Sequence, residues 1–246
     1  MSAQQPYDEV AELYADKFSD SLSSYPLERG LLASFAELAK AVEGPVGSPV
    51  ADLGCGPGYV TAHLGSLGLD AFGVDVSSGM IEQAEARHPE LRFEIGSMAA
   101  LDIADGSLSG LVSRYSIIHT VPEDVPAILA EFRRVLAPGG HALISFPGTD
   151  DASPPTVPYD HTVHTAYRWW PDHFSALLHE AGLEEVGRLI ERAAPDAPRP
   201  FPMVNLVPVA LVAQAGTMIH QADHRGSVVE YSDSKSYGDV LEEAFG

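Results

Sequence analysis

The chain has 246 residues, enough for one large α/β domain with a substantial core, and no Pro/Gly/Ser-rich stretch divides it. With 35 Asp and Glu against 14 Lys and Arg its formal charge is −21, which opposes nucleic-acid binding, because that depends on cationic contacts and counterion release. There is no basic N-terminal segment followed by an apolar run, no stretch of bilayer length, and a single cysteine, Cys55; a soluble cytoplasmic protein with no membrane partner, no disulfide and no cysteine-based zinc site is expected.

Tyr7 to Phe18 places Tyr7, Val10, Tyr14 and Phe18 at spacings of three and four, one face of an amphipathic helix. Leu27 to Val42 repeats the pattern with Leu31, Phe35, Leu38 and Val42, and Gly44-Pro45 ends it. From Val50 strands and helices alternate: strand Val50 to Leu53, helix Tyr59 to Leu67, strand Ala71 to Val74, helix Gly79 to Arg87, strand Leu91 to Ile95. That alternation requires parallel strands joined by right-handed crossovers.

Directly after the first strand comes Asp52-x-Gly54-x-Gly56-x-Gly58, where missing Cβ atoms allow a sharp turn and a close approach to a ligand. A dinucleotide fingerprint, G-x-G-x-x-G, would put its third glycine at position 59, which is Tyr59. Here it comes one residue earlier, at Gly58, and an acid, Asp75, closes the second strand. This pattern resembles the first two motifs of the class I S-adenosylmethionine-dependent methyltransferases. The resemblance implies an α/β fold with a Rossmann-like seven-stranded, mostly parallel sheet of order 3-2-1-4-5-7-6, strand seven antiparallel, flanked by helices. It implies S-adenosyl-L-methionine as cofactor, S-adenosyl-L-homocysteine as product, and no metal.

By the same resemblance the turn formed by Asp52, Gly54, Cys55, Gly56 and Gly58 lies under the amino-acid and ribose parts of the cofactor, and Asp75 takes both ribose hydroxyls; Val76 follows it in the cofactor site, and Met80, just past the second strand, is a candidate neighbour of one adenine face. On the residues alone, Asp75 could instead cap a helix beginning near Ser77 or Ser78, Met80 could be helix core and Cys55 a small apolar filler. Tyr7-Asp8 … Tyr14 … Phe18 resembles the N-terminal helix that covers the cofactor in many small-molecule members, which makes Tyr14 a candidate contact; core packing accounts for these aromatics as well. After strand three, where the family commonly has an acid for the adenine amino group, the chain has Ser97 and Met98: a neutral hydroxyl, then a main-chain N–H with an apolar face.

Ser107 to Ser116 contains strand four, and ligands of open parallel sheets lie beyond such carboxyl ends. Tyr115, Ser116 and His119 are therefore candidates to line the pocket, Tyr115 toward the cofactor and the other two toward the substrate. His119 is the candidate base, since an imidazole of pKa about 6.5 suits proton removal near neutrality, or it only shapes the pocket through a backbone hydrogen bond. Thr120-Val121-Pro122-Glu123 reads as a capping box for a helix from Val121 to Leu136, which Ala137-Pro138-Gly139-Gly140 ends before strand five, His141 to Phe146. Arg134 to Gly140 fits the Arg-Val-Leu-x-Pro-Gly-Gly run common in the same family.

Pro147 to Arg168 has no sustained period and reads as a loop insertion, a lid over 147–170 with Tyr167 and Trp169 as substrate-pocket walls. His161-x-x-His164 lacks a third ligand at motif spacing, so no metal is expected; Arg168 could hold a carboxylate or a neighbouring aspartate. A helix from Pro171 to Ala181 and strands Glu184 to Glu191 and Leu206 to Ala213 complete the sheet, with Pro208 implying a bulge or a late start. The methyltransferase domain is expected over 1–214. The acidic extension 215–246, in which Tyr237, Val240, Leu241 and Phe245 share a helical face, either docks or is disordered.

The activity expected is methyl transfer to an oxygen, nitrogen or carbon of a small metabolite. A noncatalytic S-adenosylmethionine- or nucleoside-binding module is the alternative. A nicotinamide-dependent oxidoreductase is disfavoured by the glycine spacing and the absence of an obvious Tyr-x-x-x-Lys pair. The small-molecule acceptor is unnamed by the sequence, and a homo-oligomer stays open.

Overall fold

A computed structural model describes residues 4–18, 21–42, 48–193, 201–211 and 228–231. Helices α1 (Gln4–Phe18) and α2 (Pro26–Lys40) come first, linked through a 3-10 turn at Ser21–Ser24. Eight strands then form one sheet in the spatial order β3 (Arg92–Ile95), β2 (Ala71–Asp75), β1 (Val50–Leu53), β4 (Leu108–Arg114), β5 (Leu136–Pro147), β9 (Met203–Ala210), β8 (Leu183–Glu191), β10 (Val228–Tyr231). Only β9 runs antiparallel to its neighbours. This is the expected 3-2-1-4-5-7-6 arrangement with one strand added, since β10 pairs parallel with β8 from Val228–Arg188 to Tyr231–Glu191. The helical face sought at Tyr237, Val240, Leu241 and Phe245 lies outside the described residues.

Helices α3 (Tyr59–Ser66), α4 (Ser78–Arg87), α5 (Val125–Val135) and α6 (Pro171–Glu180) cover the sheet. All four residues of β1 and the first six of β4 are buried, as the centre of a parallel sheet clad on both faces requires. Leu53, Leu111, Ile144, Phe146 and Phe132 meet in the main core, while Phe35 of α2 packs with Val50, Val112 and Leu143 on the opposite face. Gly110 admits that packing: a Cβ there would come within 2.8 Å of the Phe35 ring.

Four local expectations are corrected. The helix from Val121 begins instead as a 3-10 turn, Pro122–Asp124, with α5 starting at Val125, and no side-chain cap bond forms at Val121. Pro126 explains this, because it has no N–H to donate to the carbonyl of Pro122 and so cannot close the first α-helical turn. Strand β5 begins at Leu136, before the Pro-Gly-Gly run, with a kink where Gly139 takes φ +78° and a register shift opposite Leu108 and Gly110. The irregular stretch after β5 contains an antiparallel hairpin, β6 (Thr156–Tyr159) with β7 (Ala166–Trp169). Its alternation was masked by Pro158, which is tolerable in a two-stranded ribbon where a donor is dispensable. Finally, β9 starts at Met203 and runs through Pro208; the irregularity falls on the facing strand, where the register shifts between Glu185 and Gly187 beside Pro208. Α bulge there accommodates the missing donor.

Candidate functional site

A cavity opens at the carboxyl ends of β1, β2 and β4, under α1. Its floor is the turn after β1. Gly54, Gly56 and Gly58 all take positive φ, at 74°, 52° and 83°. The three have different reasons for being glycine. A Cβ on Gly54 would overlap the Ser116 side chain, and one on Gly58 would come within 2.7 Å of the Phe93 ring, so those two serve packing. A Cβ on Gly56 would meet no protein atom within 4 Å, although Gly56 lines the cavity; the space in front of its backbone is open.

Asp75, the last residue of β2, is held at the cavity edge by two main-chain donors. Gly56 N–H donates to Oδ2 and Ser77 N–H to Oδ1, each at 2.9 Å. One bond joins the acid to the glycine turn and the other to the start of α4, whose N-cap is Ser77 accepting from Met80 N–H at 3.1 Å. Burial raises the Asp75 carboxyl above its ordinary range, while the hydrogen bonds from Ser77, Gly56 and Val76 oppose that rise. Each oxygen can accept a further hydrogen bond, the pair of acceptors that a vicinal pair of ribose hydroxyls needs.

Helix α1 is clamped over this floor. Asp8 Oδ1 accepts from Ser77 Oγ at 2.6 Å and Gly79 N–H at 3.0 Å, at the positive end of α4, and these bonds lower its pKa. Gly79 lets the helices approach, since a Cβ there would sit 3.2 Å from Asp8 and Ala11. Tyr7 and Tyr14 are thereby turned into the cavity, with their rings edge-on 6.2 Å apart.

The exit of β4 forms the far wall. Tyr115 has φ +52°, a left-handed backbone of a kind that costs about 1–3 kcal/mol and persists where its surroundings over-determine it. Here Tyr115 N–H donates to Ser145 O at 3.0 Å, Ser116 Oγ to Leu53 O at 2.7 Å, and the Tyr115 hydroxyl to Glu28 Oε1 at 3.3 Å. Glu28 also forms a buried ion pair with Arg114 at 2.6 Å; burial opposes the Arg114 charge, but the carboxylate beside it outweighs burial and raises its pKa. Beyond them stands His119. Its Nδ1 donates to Thr165 O at 3.0 Å, so Nε2 is the acceptor, and the Tyr7 hydroxyl donates to it at 2.8 Å. Burial depresses the His119 pKa to about 4, so the ring is neutral around pH 7.

Of the residues singled out from sequence, Tyr14, Gly54, Cys55, Gly56, Asp75, Val76, Met80, Met98, Tyr115, Ser116 and His119 line the cavity together. Asp52, Gly58, Ser97, Tyr167 and Trp169 do not. Asp52 is buried beneath α3, accepting from Thr61 Oγ1 at 2.7 Å, and burial lifts its pKa to about 6. Gly58 is the left-handed N-cap of α3. Ser97 Oγ accepts from Ala99 N–H at 3.2 Å in a local turn. Trp169 is core, edge-on to Phe174 at 5.3 Å and stacked on His173 at 6.1 Å, and Tyr167 packs against the same core. Strand alternation in β7 sends these two rings inward, which a loop reading cannot foresee.

The cavity also takes residues that sequence reasoning passed over as site members: Tyr7, Tyr59, Arg114, Ile118 and His161. Position alone could have raised Tyr59, which immediately follows the glycine turn, and Arg114, which opens the β4 exit. His161 carries no such signal. Its ring centroid lies 5.0 Å from that of His119, with His164 at 6.0 Å. Among the described residues no group of three His, Cys, Asp or Glu is placed to hold a metal ion, and no helix is long and apolar enough to cross a membrane.

A glycine turn after β1, an acid at the end of β2 and a deep cavity at the sheet's switch point define a nucleoside-cofactor-binding α/β protein. Residues 50–140 match the model of a methyltransferase domain. A demethylmenaquinone methyltransferase of Beutenbergia cavernae is 31% identical over 169 residues, covering 57% of this chain and 68% of that protein. The chain belongs to the class I S-adenosylmethionine-dependent methyltransferases, and it spans only 52–58% of some other curated relatives. Solved structures extend the likeness of fold. The 1,6-didemethyltoxoflavin-N1-methyltransferase of Burkholderia thailandensis, with its substrate and S-adenosylhomocysteine bound, has a TM-score of 0.57 at 21% identity, covering 82% of this chain and 91% of that one. The cyclase SpnF has a TM-score of 0.66 at 16% identity, covering 85% and 96%.

Proposed function

We propose that this chain transfers a methyl group from S-adenosylmethionine to an oxygen, nitrogen or carbon of a small metabolite enclosed beside His119. The observation that carries the reading is one cavity continuous from Asp75 and Gly56 to Tyr7, His119 and His161. The lining is mostly apolar and aromatic with a few convergent polar groups, the character usual for small-molecule sites. The cofactor fits the residues present: Gly56 leaves open space before its backbone, Asp75 offers two carboxylate oxygens, and Met80 and Met98 offer apolar faces. When bound, it supplies a methyl group already activated on a sulfonium.

The chain's own part is placement and proton handling. Enclosure under α1 excludes water and holds the acceptor in line, an effect that can supply about 7–11 kcal/mol in favourable cases. The His119 lone pair is already engaged by the Tyr7 hydroxyl, so the two act as a unit. As positive charge develops on the acceptor atom its proton becomes strongly acidic; Tyr7 Oη receives it while passing its own proton to His119 Nε2, and Thr165 O steadies the imidazolium through Nδ1. A base with pKa about 4 suffices where the atom methylated is a hydroxyl oxygen or a ring carbon, whose proton becomes that acidic. Incubation of the protein with methyl-labelled cofactor and a metabolite extract tests this. Label in a small product, matched by released S-adenosylhomocysteine, is expected; absence of S-adenosylhomocysteine binding in calorimetry refutes it.

A further inference from the structure

Helix α1 lies on α4 along a seam of small residues. Asp8, Ala11 and Ala15, at spacings of three and four, share one face of α1, and both alanines are buried. Opposite them Gly79 comes so close that a Cβ there would sit 3.2 Å from Asp8 and Ala11. Such a seam holds two helices together but fixes poorly how far one stands along the other, because side chains this small interdigitate little. That position matters here. A slip of one residue is ~1.5 Å of helix rise, and the Tyr7 hydroxyl meets His119 Nε2 at 2.8 Å, a bond that such a shift would break.

Two polar ties cross the seam. Arg87 pairs with Asp16 at 2.6 Å, but Asp16 is largely exposed, and pairs of that kind contribute little. The other tie is Asp8, whose Oδ1 accepts from both the Ser77 hydroxyl at 2.6 Å and the Gly79 N–H at 3.0 Å. Ser77 is fully buried and cannot yield: its N–H donates to Asp75 at 2.9 Å, and its Oγ also accepts from Met80 N–H at 3.1 Å. The serine that orients the ribose acid therefore also holds α1. Tyr7 and Asp8 are consecutive, roughly 100° apart around the helix, so one faces the cavity while the other faces α4. Fixing Asp8 fixes Tyr7.

We propose that Asp8 is a positioning residue of the methyl-transfer site: through Ser77 and Gly79 it sets how far α1 stands along α4, and so whether the Tyr7 hydroxyl meets His119 Nε2 beside a bound cofactor. The inference rests on the methyl-transfer reading for the work that Tyr7 and His119 do.

The test uses the full chain with isotope-labelled histidine, saturated with S-adenosylhomocysteine; the nitrogen resonance of His119 Nε2 reports the Tyr7 hydrogen bond, and Y7F marks its loss. In D8A that resonance is expected to move most of the way to its Y7F position. D8N, which keeps an oxygen where Oδ1 stands, and D16A, which removes only the exposed tie, are expected to stay near the wild type. The rate of label transfer from methyl-labelled cofactor into small products of a metabolite extract is expected to fall about 10-fold in D8A. The double variant D8A/Y7F should be no more than about two-fold slower than Y7F, since residues that act through one another do not add. A wild-type resonance in D8A, a D8N or D16A effect as large as that of D8A, or losses that multiply in the double variant overturns the assignment. Absence of label transfer by the wild-type protein would refute methyl transfer instead, and the resonance would still decide the role of Asp8.

Discussion

Replacing Asp75 by alanine tests the cofactor reading at its centre. The substitution removes two acceptors for ribose hydroxyls, each a charge-assisted bond worth about 1.5–3 kcal/mol, and it also frees the N–H groups of Gly56 and Ser77, which Asp75 holds at 2.9 Å. The two ligand bonds share one carboxylate and do not add fully, so a loss of about 2.7 kcal/mol, or about 100-fold in the affinity for S-adenosylhomocysteine, is expected from a wild-type value near micromolar. The freed donors lie at the cavity edge, where water reaches them, so the fold should lose no more than about 1–2 kcal/mol. Calorimetric titration with S-adenosylhomocysteine gives the first quantity and urea unfolding the second. Because hydroxyl donors favour the ionised carboxylate, wild-type affinity should also fall as pH drops through the raised titration range of Asp75, and Asp75→Ala should abolish that dependence. Undiminished affinity in a folded Asp75→Ala protein would refute the ribose assignment.

Tyr7→Phe and His119→Ala should each cut turnover by about 10- to 100-fold with cofactor affinity nearly intact, and the double variant should be little worse than either, since the hydroxyl and the imidazole form one relay. Gly54→Ala should destabilise the fold by about 3 kcal/mol or more through overlap with Ser116, whereas Gly56→Ala should cost about 1 kcal/mol in urea unfolding and yet weaken S-adenosylhomocysteine, because its methyl group enters open cavity. Burial, helped by the Glu28 charge, raises the Glu191 pKa to about 7, so the stability of its neutral form is fully present below about pH 4.5 and lost as pH rises through 7. Glu191→Gln should accordingly be neutral near pH 4.5 and stabilising by about 1–2 kcal/mol at pH 8, a figure reduced for partial exposure of the side chain. Replacing Thr149 to Pro158 with a glycine linker, which removes most of β6, should raise the acceptor KM or lower kcat without changing cofactor affinity; unaltered acceptor kinetics would place the hairpin away from the substrate.

The cofactor half of the site was legible in the sequence because local backbone chemistry dictates it. Glycines at 54, 56 and 58 report left-handed turns wherever the rest of the chain lies, and an acid ending a buried strand is confined to the sheet's ligand edge. Alternation of strand and helix likewise forces parallel pairing and fixes most of the strand order. Local pattern also misled: Thr120 to Glu123 has the letters of a capping box, but Pro126 denies the turn it would start. Tertiary structure alone decided how residues distant in the chain meet. Tyr7 and His119, 112 positions apart, share a hydrogen bond only because Asp8 pins α1 to the start of α4, and Tyr167 and Trp169 turn into the core only because a proline-interrupted segment closes into a hairpin. Nothing in the spacing of those residues encodes their meeting, because contacts between elements depend on how whole faces pack, while turns and strand ends depend on the few residues that form them.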